Sequence, residues 1–496
     1  MPAAMEYLNN TDSRAARELE DAFVKELSAR RKLIDENWSY YRGEHAAPLR
    51  ADSTKTNDNV VVNLVGMAVD KELSGMMGSD DQGNVQGVRF DIVDEAGERG
   101  FLETMLGALG MGGEEQAHPE QQWLDMVWEA NRRDVTLLTA FSNAAIAGHT
   151  FVKLLPSGAV HPVMGTDVPR LVALNPYYVS VFWQADDAER VLWYRIEYDR
   201  MRQDIVRERY DNGADTGRWL IYNYRKESDR ANWALAGDVE IHPYAWAPIV
   251  DWKNLPDPTN FYGRDSIGIA GAMNDSLNFV LSNTQRIIKY HAHPNTVVTG
   301  ANKADFQDTA VNRLWTIANE NARVTNVEMQ SDLSSSMGFA AVMREALFAQ
   351  FRELDPLSVQ DKLGAITNFG LRVMYSDTLN KQGVKRMLAT PALLMLCRNI
   401  LEIGGYNRSV MINALWPDTL PNDRLAEAQQ LQIMTGLGLS QETALERAGY
   451  DPEQERQRRA LTALEGARGQ QIAIADRLRA GMAAPPTNVP EGGPIA

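Results

Sequence analysis

Apolar positions near the N-terminus recur at helical spacing. Leu19, Phe23, Leu27, Ile34 and Trp38 stand between charged residues, and Tyr40-Tyr41-Arg42-Gly43 closes the run. A polar linker with Pro48 and the stretch Asp52 to Asn59 follows, and Val60 to Gly75, which alternates poorly, reads as a partly buried helix. Ala96 to Pro119 is rich in glycine and acidic residues, with Gly110, Gly112 and Gly113 close together, and is expected to include a loop. Helical spacing returns with Trp123, Val127 and Ala130, then with Leu137, Leu138, Phe141 and Ala145. From about Thr150 to Pro248 the pattern changes. Short runs rich in Val, Tyr, Trp and Phe (Phe151 to Leu155, Leu171 to Leu174, Tyr178 to Trp183, Val191 to Tyr198, Trp219 to Tyr224) predict the strands of a β-rich lobe. Asn212-Gly213 marks a turn within it. The lobe closes at Ile249-Val250-Asp251-Trp252, before the proline-containing loop Leu255 to Tyr262.

A new helix is expected from near Asp265. Ile267, Ala270, Met273, Leu277, Val280 or Leu281, Thr284 and Ile287 or Ile288 make a continuous apolar stripe that stops near Pro294. About 25 helical residues would span roughly 37 Å. Thr296 to Leu333 holds short mixed elements. A second helix, Ser335 to Leu354, carries Ala340, Met343, Leu347 and Phe351 on one face, with Pro356 expected to end it. After a loop from Asp355 to Ile366 comes a third helical run, Asn368 to about Ile403, in which Thr390-Pro391 predicts a kink or an interruption. The remainder reads as short helices. Asn422 or Thr419 can cap a run through Met434, Ser440 a run from Glu442 to Ala448, and Asp451-Pro452 with Gln454 forms a further N-terminal cap. The tail after Arg479, with Pro485-Pro486, Pro490 and Pro494, is expected to be disordered.

Length and composition narrow the class. A chain of 496 residues is too long for one core, so two or more lobes are expected. Cys397 is the only cysteine, which excludes an internal disulfide framework and a Cys-rich zinc site. There is no apolar stretch of about 18 residues, and Met1 to Asn10 lacks a basic and apolar leader, so neither membrane insertion nor signal-dependent secretion is expected. The net charge of −16 argues against gripping DNA by neutralising many phosphates. It leaves open a channel through which DNA slides, because a strongly attractive wall would oppose movement; solubility alone also accounts for it.

Enzyme chemistry finds little support. His291 and His293, with Asp305 nearby in sequence, are the best candidates, but positions i and i+2 do not share a helix face and Pro294 follows at once. No acidic pair is spaced for two-metal chemistry, and Gly110 to Gly113 lacks the lysine of a phosphate-binding loop. No G-x-S-x-G run supplies a nucleophile elbow. No catalytic residue, metal or cofactor is assigned.

Two segments carry a resemblance. One is the run Gly370-Leu371-Arg372-Val373-Met374-Tyr375-Ser376-Asp377-Thr378-Leu379-Asn380-Lys381, after the loop containing Asp355-Pro356. The other is Trp416-Pro417-Asp418-Thr419-Leu420-Pro421-Asn422-Asp423, followed by Leu439-Ser440-Gln441-Glu442-Thr443-Ala444-Leu445-Glu446. Asn175-Pro176, and Asn254-Leu255-Pro256 leading to Tyr262-Gly263, add weaker matches. In this order, over Leu27 to Glu465, the chain resembles the portal proteins of tailed bacteriophages, in particular their long-tailed branch. Gly383 and Pro391 inside the third helical run depart from that pattern.

The resemblance implies an α+β, mainly helical portal fold with a β-rich wing lobe, a two-helix stem, a small clip, a long wing helix and a helical crown. Carried over by order, residues 1–264 are the wing, 265–290 the first stem helix, 291–334 the clip and 335–354 the second stem helix. Residues 355–367 are the tunnel loop, 368–415 the long wing helix region, 416–480 the crown and 481–496 a disordered tail. It further implies a ring-shaped channel at one capsid vertex for DNA packaging, retention and ejection, assembled in the host cytoplasm and located in the virion. The implied partners are eleven further copies (thirteen subunits in all in free rings), the terminase large subunit, head–tail connector or adaptor proteins, the major capsid and scaffolding proteins, and double-stranded DNA. The competing readings are another phage head component, an adaptor or capsid protein, and a DNA hydrolase.

Candidate site residues follow from the same assignment. The tunnel loop contributes Asp355, Pro356, Leu357, Gln360, Asp361, Lys362 and Gly364; its charges nearly cancel, as repeated weak contacts with DNA require, though an ordinary helix–helix connection has the same composition. Arg286 and Lys289 near the end of the first stem helix suit either the helix C-terminus or a phosphate-facing role. Ile267, Leu277, Leu281, Ile288, Ala340, Met343, Leu347 and Phe351 are the stem-packing candidates. Their stripes can be satisfied within one subunit, or between subunits of a closed ring with heterologous faces.

Overall fold

The computed structural model describes residues 13–44, 59–78, 85–93, 119–184, 187–209, 215–228, 231–258, 260–292, 295–299, 321, 323–327, 333–355, 357 and 368–419. Helices α1 (Ser13–Arg42) and α2 (Leu64–Met77) precede strand β1 (Arg89–Val93), and α3 (Pro119–Ala130) and α4 (Arg133–Ala147) follow it. The β-rich section comprises β2 (His149–Val160), β3 (Asp167–Leu174), β4 (Val179–Gln184), β5 (Asp187–Glu197), β6 (Met201–Arg209), β7 (Asp215–Arg225), β8 (Ala234–Leu235), β9 (Glu240–Ile241) and β10 (Ile249–Lys253). Then come α5 (Ala270–Ala292), β11 (Asn295–Thr299), β12 (Arg323–Val327), α6 (Ser334–Phe351), α7 (Asn368–Met374), α8 (Ser376–Ile403) and β13 (Met411–Leu415). This is the mixed helix-and-sheet composition expected of the fold class.

Two cores organise these elements. In the larger, α2, α3, α4 and α8 close around a three-stranded sheet of order β10-β2-β3, burying Val65, Leu137, Ile146, Leu154, Leu393 and Ile400. In the smaller, the antiparallel path β4-β5-β6-β7-β8 packs Val181, Trp183, Ile205 and Trp219 against Phe151, Ile249 and Phe261. Asp251 ties the two sheets together: it accepts the Tyr194 hydroxyl at 2.6 Å and lies 2.8 Å from His149 Nε2. Burial pushes the His149 pKa down, and the surrounding rings of Phe151 and Phe261 make this a packed joint.

The motifs at the lobe's edges have local causes. Asn175 accepts the Tyr177 amide at 3.0 Å, opening the turn before β4 with Pro176 at its first position. Asn254, buried, donates to the Arg264 carbonyl at 3.0 Å and to Ser266 Oγ at 3.1 Å, pinning the loop that ends at Tyr262-Gly263. A Cβ at Gly263 would lie 2.6 Å from the carbonyl oxygens of both Gly148 and Leu255, so only glycine lets these backbones cross.

Several elements differ from their sequence-based expectation. The charged strand β6 was not expected, yet it is central between β5 and β7. Its one buried carboxylate, Asp204, is held by Arg195 at 3.0 Å and by Arg202, so pairing with cations replaces apolar alternation. Helix α5 starts at Ala270 instead of Asp265: Asp265 Oδ1 accepts the Gly268 amide at 2.6 Å and Gly268 has φ +48°, a turn no helix can contain. Ile267 is therefore buried from that turn and not from the helix.

Helix α6 stops at Phe351 because Arg352 adopts the left-handed conformation (φ +55°), before Pro356 is reached. The long wing helix region is two helices and a strand. It breaks at Tyr375, between α7 and α8, and β13 pairs with β1 from Arg89↔Leu415 to Val93↔Met411. Pro391 does not end α8, which runs through it to Ile403. Its ring leaves the Met387 carbonyl without an amide partner, but Met387 is exposed and water can serve that oxygen. The Thr390 hydroxyl donates to the Arg386 carbonyl at 2.7 Å and accepts the Trp416 indole at 3.0 Å, bracing the same turn.

The turn at Asn212-Gly213, the crown beyond Thr419 and the tail 481–496 lie outside the described residues.

Candidate functional site

Helix α5 packs against α6 and α2, and its inner face is not the simple apolar stripe that the sequence suggests. Asn274, Asn278 and Ser282, four residues apart, are fully buried. Asn274 accepts the Leu64 amide at 2.9 Å and donates to the Val62 carbonyl at 2.8 Å. Asn278 accepts the Val62 amide at 2.9 Å, and Ser282 the Val60 amide at 2.9 Å. Four helical residues rise about 6 Å and two extended residues about 6.6 Å, so a period of four on the helix matches a period of two on the segment 59–64. Side chains here do what a neighbouring strand would do. Arg286 is the next rung: its guanidinium donates to Asn59 Oδ1 at 2.9 Å and to Asn283 Oδ1 at 3.1 Å. Asn278→Ala should therefore cost about 1–3 kcal/mol by stranding the part-buried Val62 amide. Thermal melts of the variant check this, and an unchanged transition would mean that water reaches the segment.

The stem-packing candidates divide. Leu277, Ala340, Leu347 and Phe351 are buried, and Leu281 and Met343 are half-buried. Ile288 is 51% exposed, against expectation. Gln285, Ile288 and Lys289, near the end of α5, are all exposed. Phe279, on the outer side of α5, is also exposed.

Helix α6 has an unusual surface. Only Arg344 and Glu345 in its sequence are charged; the side away from Ala340 and Leu347 exposes Gly338, Val342, Ala346 and Ala349 together with Glu345, and Phe339 and Met337 are exposed on its flanks. An apolar helix of this kind belongs in an interior. One chain covers only one side of it.

The end of α6 is held by side chains from two other helices. The carbonyls left open at a helix C-terminus attract cations. Lys381 donates to the Phe351 carbonyl at 2.8 Å, the Thr378 hydroxyl to the Arg352 carbonyl at 2.8 Å, and Lys71 to the Leu354 carbonyl. Thr378 and Lys381, with Lys385 beyond them, share one face of α8. Behind them lies Glu72, fully buried, whose carboxylate meets Lys381 at 2.7 Å, contacts Lys385, and accepts the Ser266 hydroxyl at 2.9 Å. Burial pushes the Lys381 pKa down to about 8 and Lys385 well below its ordinary value, while burial raises that of Glu353 beside Lys71. Asp355 then closes the junction. It takes a two-pronged hydrogen bond from Arg344 at 2.8 and 2.9 Å and accepts the Leu357 amide at 3.1 Å; the bonds from Arg344 hold its carboxyl below the usual range.

Of the loop candidates, Asp355 and Leu357 are therefore placed, the first buried and the second exposed. Pro356, Gln360, Asp361, Lys362 and Gly364 lie outside the described residues, as do His293 and Asp305. Lys289 is exposed at the end of α5. Among the described residues no group of three or more His, Cys, Asp or Glu could hold a metal, and no helix is long and apolar enough to cross a membrane.

The ladder and the Glu72 cluster were missed at sequence level. Their signals were polar residues every fourth position on an apolar stripe (Asn274, Asn278, Ser282) and Glu72 standing at the helical spacing of Val65, Val69 and Met76.

The model of the family described as "Phage portal protein, SPP1 Gp6-like" matches residues 21–467. No curated protein matches the chain. Among solved structures, a chain from "Neck of empty GTA particle computed with C6 symmetry" is 14% identical with a TM-score of 0.45, covering 79% of this chain and 91% of that one. A chain from "Virion of native gene transfer agent (GTA) particle" is 13% identical with a TM-score of 0.39, covering 77% of this chain and 99% of that one.

Proposed function

The chain belongs to the phage portal protein family, SPP1 Gp6-like, a structural family of portal or connector subunits, and from that premise we propose that its α5–α6 pairs stand side by side in a closed ring around double-stranded DNA. The observation that carries this reading is α6, covered on one side only, whose open side exposes Phe339, Val342, Ala346 and Ala349 with Glu345 as its one charge. A neighbouring copy presenting exposed Phe279 of its own α5 supplies the missing cover, and the contact is heterologous, the kind that generates a ring when its rotation closes. In this reading the ring sits at one vertex of the virion. It passes the genome inward with the terminase docked, then holds and releases it with head-completion and tail proteins in place. The acidic chain, with Arg286 engaged by Asn59 and Asn283, suits a conduit whose wall does not grip phosphate. Capsid and scaffolding proteins would contact the wing, and assembly would take place in the host cytoplasm.

Native mass spectrometry of the purified protein tests the ring. Closed species of twelve subunits, or thirteen in free rings, are expected; only monomers and dimers at micromolar concentration would sink the reading. The loop is tested separately. Replacing Leu357 to Gly364 with a short Gly-Ser linker should leave rings intact, because the junction is held by Lys71, Lys381, Thr378 and Arg344 outside the replaced stretch. Packaged genome length or DNA retention should fall in the same variant. Normal packaging with intact rings would remove the loop from the functional site.

A further inference from the structure

Three edge strands of this fold are sealed by side chains. On the outer edge of β1, Gln121 accepts the Ile92 amide at 2.9 Å and donates to the Phe90 carbonyl at 3.0 Å. Asn131 does the same for β3, accepting the Leu171 amide and donating to the Pro169 carbonyl, each at 2.8 Å. On β4 the Tyr262 hydroxyl accepts the Val181 amide at 3.0 Å, and Arg30 donates to the Val179 carbonyl at 2.8 Å. An unpaired edge is a template for a further strand, and these side chains occupy it.

The edge of β10 is different. Two bonds at its ends, from the Leu154 amide to the Pro248 carbonyl and from the Asn254 amide to the Gly148 carbonyl, both at 2.9 Å, fix which residues face β2. Val250 and Trp252 fall in phase with them, so Ile249, Asp251 and Lys253 turn their amides and carbonyls away from β2. No group among the described residues is hydrogen-bonded to those amides and carbonyls. The sheet order β10-β2-β3 puts no strand beside them.

This edge opens into a cleft of about 1260 Å³. All five residues of β10 line it, with α8 as one wall and the β4–β8 sheet, through Val191, Tyr194 and Trp219, as the other. Val250 and Trp252 belong to the core that α8 closes and Ile249 to the core of the other sheet. A strand laid along β10 would therefore point alternate side chains at the two walls. The α8 wall offers exposed Met387 and Met395, unbranched side chains that adapt to varied apolar partners. It also holds Asn399, 1% exposed, whose amide nitrogen and oxygen both lack a partner among the described residues. Buried amides are otherwise partnered, so this one calls for a ligand that brings both a donor and an acceptor, as an extended backbone does.

We propose that the free edge of β10 takes up an extended segment of a partner protein as an added strand, with apolar residues at alternate positions against Met387 and Met395. Backbone pairing supplies the affinity and the two walls the selectivity. No residue of α5 or α6 lines the cleft, so the site is separate from the surface proposed to close the ring.

Random dodecapeptides displayed on yeast and selected on the purified full-length protein supply the probe. On binding, the amides of Ile249, Asp251 and Lys253 should exchange with deuterium at least tenfold more slowly, while those of Val250 and Trp252, already bonded to β2, change little. The peptide is then synthesised with N-methyl groups on its odd or on its even residues. An added strand pairs through alternate residues only, so one set should weaken binding at least tenfold and the other should not. Lys253→Pro, which removes one outward amide and leaves the pairing with β2 in place, should weaken binding as much, with Lys253→Ala as the control for its side chain. If Lys253→Pro fails to fold, the exchange pattern and the methylated peptides decide, since both use the unaltered protein. A library without a binder that slows the three outward amides overturns the proposal, as does equal loss from both methylated sets. Slow exchange of those amides in the free protein overturns it too, because the edge would then be filled by this chain or by a second copy.

Discussion

Glu72→Ala should destabilise the protein by about 3–5 kcal/mol, the usual consequence of removing one partner of a buried ion pair. Glu72 has no exposed surface and is the carboxylate that Lys381 and Lys385 both meet. Taking it away leaves Lys385 beside the Ser266 hydroxyl and Lys381 on a backbone carbonyl, with buried Glu353, which already meets Lys71, as the remaining carboxylate acting on Lys381. The loss spreads along the chain because this carboxylate joins α2, α8 and the turn before α5. Urea unfolding measures it. Glu72→Gln should lose less, since an amide keeps hydrogen bonds to Ser266 and the lysines. Adding Lys385→Met to Glu72→Ala should recover part of the loss, because the second change removes a cation that no longer has a counter-charge. A loss under about 1 kcal/mol for Glu72→Ala would falsify the buried pairing.

That cluster also shows where sequence reading reached and where it stopped. Leu277, Ala340, Leu347 and Phe351 are buried because a helical stripe predicts burial whatever covers it. The strands from Phe151 to Tyr224 were legible for the same kind of reason, as β-branched and aromatic runs between turns. Glu72, Lys381 and Lys385 were not. A charge in an apolar run signals nothing until its partner is known, and the partners here are about 310 residues apart, brought together only by packing of α2 on α8. Strand β6 escaped because cross-strand Arg195–Asp204 pairing replaces alternation. Ile288 failed in the opposite direction: its spacing is right, but among the described residues none packs over it and it is 51% exposed. Proline rules misplaced both helix breaks. Arg352 and Tyr375 end or interrupt helices by their backbone conformation, which composition does not display.

Val342→Asp should abolish rings while leaving the monomer folded. Val342 lies on the far side of α6 from Ala340 and Leu347 and is 61% exposed, so within one chain a carboxylate there stays in water and costs little. In the proposed ring the same position would be covered by the neighbour's α5. Burying a carboxylate against Phe279 and α6 itself, with no cation supplied, costs several kcal/mol or forces the group neutral, as transfer of a charge out of water requires. The penalty recurs at every interface around the ring, so even about 1 kcal/mol per contact would shift assembly strongly. Leu277→Asp is the contrasting variant. Leu277 is buried within the chain, so that substitution should lower the melting temperature of the monomer as well as the ring yield. Sedimentation velocity alongside thermal melting separates the two: Val342→Asp should sediment as a monomer with a native-like transition, Leu277→Asp as destabilised or aggregated protein. Rings of Val342→Asp at normal yield would leave the outer face of α6 facing water or another partner, and the contact that closes the ring would then have to be sought on the wing.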